Sequence, residues 1–229
     1  MIGVTAAEGQ PESLVSSLPA AAVVGAMALL FTVATFWWLN ARLGALKSWE
    51  PQTYAMSLGE DYVRARLPLV LHNTGARSIV VLDMRMRFPD EPEAIWPLRW
   101  TGTSEELMPK SMNDVAAPAG FAIGGRTAEQ RVVSFSVPSP GFIPEVREYQ
   151  VVLEAVLGQR KLWQRALRRN SRWQPFLRFT LRLGIMNYSG SYGAYSNSPR
   201  ELKPEDLQAP DVAMERLALR LREERKARA

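Results

Sequence analysis

Twenty-nine consecutive residues, 13–41, carry no charged side chain, and within them 19–39 is almost unbroken apolar sequence. At about 1.5 Å per residue a helix of those 21 residues is roughly 31 Å long, close to the bilayer hydrocarbon thickness of about 30 Å. A surface helix of a soluble protein carries a polar stripe opposite its apolar one; this run has none. Trp37 and Trp38 close it, at the level where amphipathic rings favour lipid headgroups, and Arg42 comes directly after. A cleaved signal peptide needs a basic start, an apolar run of roughly 7–15 residues and small residues at the cut. Residues 1–18 hold Glu8 and Glu12 but no Lys or Arg, and Phe36-Trp37-Trp38 is a poor cleavage site. The reading is a retained single-pass helix over 19–41, with 1–18 as an extracytoplasmic tail. Basic residues lie only downstream (Arg42, Lys47, then Arg64 and Arg66). The positive-inside rule therefore puts the C-terminal side of the span in the cytoplasm. An extracytoplasmic binding module is the alternative if that topology is reversed.

After a linker, 42–52, the sequence changes period. Ser78 to Phe88 alternates, with Val80, Leu82, Met84, Met86 and Phe88 expected on one face and Val81, Asp83, Arg85 and Arg87 on the other. A period of two marks a half-buried strand. Tyr149, Val151, Leu153, Ala155 and Leu157 repeat the pattern, as do Leu177, Phe179, Leu181 and Leu183. Val133 to Val137 reads as a strand ended by Pro138, and Gly124-Gly125-Arg126 as a joint between two strands. At Asn73-Thr74-Gly75 the glycine is expected to supply a positive φ. Many short strands with Pro and Gly between them predict an all-β fold, a two-sheet sandwich of seven or more strands over 53–186. Trp96, Trp100, Phe121 and Phe135 are expected to fill its core.

The strand ending Leu-Val-Leu-His-Asn-Thr-Gly-Ala-Arg, followed by Ile-Val-Val-Leu, resembles immunoglobulin-like β-sandwich modules. The layout is also similar to uncharacterised bacterial proteins with one N-terminal span and a sandwich domain. The resemblance covers roughly residues 54–186, lacks the two core cysteines of true immunoglobulin domains and brings no catalytic residues with it.

The absence of cysteine excludes disulfides, thiolate nucleophiles and cysteine-held metal, and a single histidine, His72, excludes any site built on two imidazoles. Phosphate-loop, dinucleotide-fold, nucleophile-elbow and zinc-protease motifs are missing. No catalytic residue, cofactor or metal is expected. The alternative is a hydrolase using carboxylates such as Glu60, Asp61 or Asp83, which would require two of them to face across a cleft.

Charge is distributed unevenly. Residues 155–200 contain no Asp or Glu but nine basic side chains, leaving 19 basic against 23 acidic elsewhere. Arg160, Lys161, Arg165, Arg168, Arg169 and Arg172, interleaved with Trp163, form the candidate contact with anionic lipid headgroups, where each cation contributes about 1 kcal/mol. No nucleic-acid-binding motif accompanies them, and no such partner is expected. Residues 187–210 read as a Tyr/Ser/Gly-rich loop and 211–229 as a short helix N-capped by Asp211. Tyr188, Tyr192 and Tyr195 in the loop, with Met214, Leu217 and Leu221 on the helix, are candidate contacts for a protein partner. The expected function is a membrane-anchored interaction or scaffold module.

Overall fold

The computed structural model describes residues 19–59, 61–91, 97–109, 114–138, 142, 144–158, 173–184, 192–199, 223 and 227. The chain divides into two units, 1–42 and 43–229. In the first, helix α1 (Ala20–Phe36) passes into a π-helical turn, Trp37–Ala41. Together they give 22 residues long and apolar enough to cross a membrane, with no side chain buried in the protein. Its few polar groups bond back along the helix: Thr32 Oγ1 donates to the Ala28 carbonyl at 2.8 Å and Asn40 Nδ2 to that of Phe36 at 3.1 Å. That internal satisfaction is what an apolar medium demands. The Arg42 guanidinium stacks on the Trp38 ring at 4.1 Å.

The second unit is all-β. Its strands are β1 (Leu46–Ser48), β2 (Thr53–Leu58), β3 (Tyr62–Asn73), β4 (Ile79–Arg87), β5 (Leu98–Ser104), β6 (Phe121–Ile123), β7 (Ala128–Pro138), β8 (Arg147–Leu157), β9 (Trp173–Leu183) and β10 (Gly193–Ser196). Every pairing is antiparallel. The path runs β10-β2-β3-β7-β5-β4-β8-β9, with β1 on β3 and β6 on β4. The link between β5 and β4 is only Arg85↔Arg99 and Met86↔Leu98. Here the sheet curls, and its two parts enclose a core that takes side chains from both, including Tyr54, Leu67, Leu69 and Phe135 on one side and Met84, Met86, Leu153 and Leu181 on the other. Trp100 and Phe135 are buried and Phe121 packs against them, as expected; Trp96 lies outside the described residues.

Backbone irregularities correct two local expectations. A bulge between Val81 and Asp83 shifts the β4 register against β8. An extra residue reverses the alternation, so Ile79 and Val81 point inward with Met84 and Met86, while Leu82 is 47% exposed and Val80 half-buried. The expected single phase through Val80 and Leu82 holds only beyond the bulge. At Gly75 the requirement is space, not a positive φ: a Cβ on Gly75 would sit 2.0 Å from the Gly44 nitrogen. The left-handed position is Arg126, at φ 58°, in the turn that joins β6 to β7. Pro68, inside long β3, falls between the β2 pairing that reaches Arg66 and the β1 pairing that begins at Leu71. That open stretch of edge accommodates a residue without an N–H.

Candidate functional site

Two regions of the β unit gather the features that bear on function. The first is the end at which the chain enters it. Asn73 is fully buried at the end of β3, and its Nδ2 donates to the carbonyls of Arg77 (2.8 Å), Ile123 (3.3 Å) and Gly124 (3.0 Å). Its Oδ1 accepts from the Gly75 N–H at 2.9 Å. One side chain thus ties the β3–β4 turn to the β6–β7 turn. Ala45 joins them through Thr74, whose Oγ1 accepts from the Ala45 N–H at 2.9 Å and whose own N–H donates to the Ala45 carbonyl at 3.2 Å. Beside this knot, Leu43–Leu46, Ile79, Leu157 and Gln174–Phe176 line a cavity of about 120 Å³. The last residues of β8 and the first of β9 therefore stand next to the entering linker. Between them runs the segment holding Arg160, Lys161, Trp163, Arg165, Arg168, Arg169 and Arg172, which itself lies outside the described residues.

The second region is the seam where the two ends of the sheet approach. Asn197, after β10 and 2% exposed, accepts from the Arg182 N–H at 2.8 Å and donates to the Thr180 carbonyl at 3.0 Å and to Glu50 at 3.1 Å. Tyr54 on β2 donates its hydroxyl to the Arg182 carbonyl at 2.7 Å, and burial pushes that phenol's pKa up. Side chains, not a backbone ladder, thus satisfy the facing edge of β9 between 180 and 182. Of the tyrosines expected at a partner contact, Tyr195 stacks on Tyr54 with centroids 5.5 Å apart, and Tyr192 covers the Arg66 guanidinium at 3.7 Å. Each turns part of its ring to the domain and remains half-exposed. Tyr188, Met214, Leu217 and Leu221 lie outside the described residues.

Two of the three carboxylates considered for hydrolysis are described. Asp61 is exposed ahead of β3, Asp83 sits on β4 with Oδ1 accepting from the Met84 N–H at 2.8 Å, and Glu60 lies outside the described residues. An open groove of about 1100 Å³ is edged by Glu105, Glu106, Asp114 and Glu129. Glu129 is bridged to Arg131 at 2.8 Å, and among the described residues no group of three or more His, Cys, Asp or Glu is arranged to hold a metal. His72, the lone histidine, is half-buried on β3 with its ring 5.8 Å from that of Trp49.

The residues that organise both regions, Asn73 and Asn197, are not among those the sequence singles out. Asn73 stands in a recognisable turn motif, but nothing local announces that its amide will bridge to residues fifty positions away.

No family model matches this sequence, and no curated protein matches it. Among solved structures, a candidate lipoprotein (ycdA) of Bacillus subtilis subsp. subtilis str. 168 aligns with a TM-score of 0.34 and 11% identity, covering 62% of this chain and 38% of that one. The matched region is thus less than half of that protein.

Proposed function

We propose that the chain is a single-pass membrane protein whose all-β domain is an interaction or scaffold module that binds a protein partner at the cytoplasmic face. The observation that carries this reading is the helix Ala20–Ala41, with none of its candidate span buried, in a chain whose β unit has its own closed core. A helix apolar all round that finds no cover in its own protein finds it in lipid. The cytoplasmic side is favoured by Arg42 and Lys47 just after the span, against no Lys or Arg among residues 1–18. The facing antiparallel parts of the sheet favour an immunoglobulin-like kind of sandwich; the unbroken eight-strand path through one sheet and the lack of cysteine are its departures from that type.

The basic segment 159–172 belongs to the same reading as a contact with anionic headgroups. Its flanking residues Leu157 and Gln174 line one cavity with Leu43, which comes two residues after the candidate span. The strands that flank the segment therefore meet the residues that follow the span in the sequence. Catalysis has no part in the proposal, because binding needs only surfaces and the carboxylates Asp61 and Asp83 stand on separate turns and strands.

Cross-linking in native membranes and then purification of the full chain tests the module. The expected result is a defined protein partner in stoichiometric amount. A chain that purifies alone and turns over a hydrolase substrate, with turnover lost on replacing one groove carboxylate such as Glu106→Gln, would favour the enzyme instead.

A further inference from the structure

The outer face of the curled sheet carries a concentration of arginine that its own carboxylates do not balance. Strand register places Arg64 of β3 opposite Ser136 of β7, Ser136 opposite Arg99 of β5, Arg99 opposite Arg85 of β4, and Arg85 opposite Glu154 of β8. One pleat away Arg87 and Arg178 flank Val152. One pleat to the other side Arg66 donates Nε–H to Ser134 Oγ at 3.2 Å. With about 4.8 Å between strands, Arg64 and Arg85 are about 14 Å apart across the sheet.

Arg66 is buried under Tyr192, and the other five guanidinium groups share this stretch of the face with two strand carboxylates. Glu154 takes Arg85 at 2.6 Å and Arg87 at 3.1 Å; Asp83 lies two residues before Arg85 and accepts a backbone N–H. Arg64, Arg99 and Arg178 have no carboxylate partner among the described residues, and Arg99 and Arg178 are exposed. Like charges directly opposite on neighbouring strands oppose folding, yet Arg85 and Arg99 face each other here. Glu154 offsets that repulsion at Arg85, so the charges left for something negative outside the domain are those of Arg64, Arg99 and Arg178.

We propose that this arginine row docks an extended acidic segment of a partner protein. The inference rests on the interaction-module reading and gives that module a surface and its partner a charge. Planar guanidinium forks suit carboxylates in bidentate pairs. Two of them are braced from behind, Arg64 over Tyr62 at 5.2 Å and Arg85 over Trp173 at 4.3 Å. Each ring thus has a face taken by arginine, which disfavours the pair as stacking platforms for a single-stranded nucleic acid.

The test uses the full chain in nanodiscs of phosphatidylcholine and a fluorescent ten-residue glutamate peptide, with a ten-residue glutamine peptide as the neutral control. The wild-type chain is expected to bind the glutamate peptide alone, and to release it as salt rises. The Arg64→Glu/Arg99→Glu/Arg178→Glu variant, checked for an unchanged thermal transition, should bind it about tenfold or more weakly. The single Arg99→Gln change, which removes charge without reversing it, should weaken binding measurably. Equal binding by the wild type and the row variant overturns the proposal. So does a wild type that ignores the peptide but loses affinity for phosphatidylserine vesicles or a DNA oligonucleotide when the row is reversed. If the peptide fails while wild type and row variant cross-link the same protein in native membranes, the row is wrong and the module reading stands; if no protein is cross-linked, both fall.

Discussion

At the scale of single residues, the domain depends on buried amides whose hydrogen bonds reach far along the chain. Asn73 satisfies three carbonyls and one N–H with one side chain. Asn73→Ala leaves the Ile123 carbonyl and the Gly75 N–H buried without that partner, and the Arg77 and Gly124 carbonyls part-buried without it; unsatisfied buried polar groups cost about 1–3 kcal/mol each. A loss of about 2–4 kcal/mol is expected in chemical denaturation, since some of the carbonyls find partial substitutes. Arg99→Gln should behave in the opposite sense. Removing a charge that faces Arg85 is expected to leave stability unchanged or raise it by up to about 1 kcal/mol at low salt, while the acidic peptide binds less well. A stability gain accompanied by a binding loss is the signature of a surface kept for recognition. A clear destabilisation by Arg99→Gln would mean that the residue serves the fold.

At the scale of elements, alternation in the sequence is enough to locate β4, β7, β8 and β9 and to assign most of their inner faces, because period two is a property of the strand alone. What it cannot carry is register between strands. The bulge at Val81/Asp83 exists because β4 must pair with β8 along one edge and with β6 and β5 along the other. That is a property of four strands, and it inverts the expected orientation of Val80, Val81 and Leu82. The correction is measurable: Val81→Lys should unfold or strongly destabilise the domain, by more than about 3 kcal/mol. Leu82→Lys should fall within about 0.5 kcal/mol of wild type. The arginine row is hidden for the same reason. Arg64 and Arg66, or Arg85 and Arg87, read locally as the polar side of one strand, and only the pairing reveals that they share a surface. The seam gives a further expectation. With Asn197→Ala, the Arg182 N–H and Thr180 carbonyl lose their partner, so amide exchange should quicken in β9 and β10 while β3 and β7 stay protected.

At the scale of the whole molecule, the span is the most legible feature, since length and polarity are counted directly from the sequence. The side of the membrane rests on two nearby cations and on their absence upstream, a composition rule, whereas the core position of Tyr54 or Leu67 rests on packing. The basic segment 159–172 belongs to this scale too. Replacing Arg165, Arg168 and Arg169 by Glu should abolish any preference of the full chain for phosphatidylserine over phosphatidylcholine vesicles, read by flotation at low salt. Equal flotation with both vesicle types in the wild type would leave the segment as a solvated connection.

The absence of cysteine makes the central claim open to one direct measurement, because any introduced thiol reports only itself. Single variants Ala28→Cys, inside α1, and Ser78→Cys, exposed ahead of β4, are labelled with a membrane-impermeant maleimide in intact cells and again after permeabilisation. The account predicts that position 28 stays unlabelled in both conditions and that position 78 labels only once the membrane is opened. Labelling of position 28 as fast as position 78 would contradict the span, and labelling of position 78 in intact cells would put the domain on the other side.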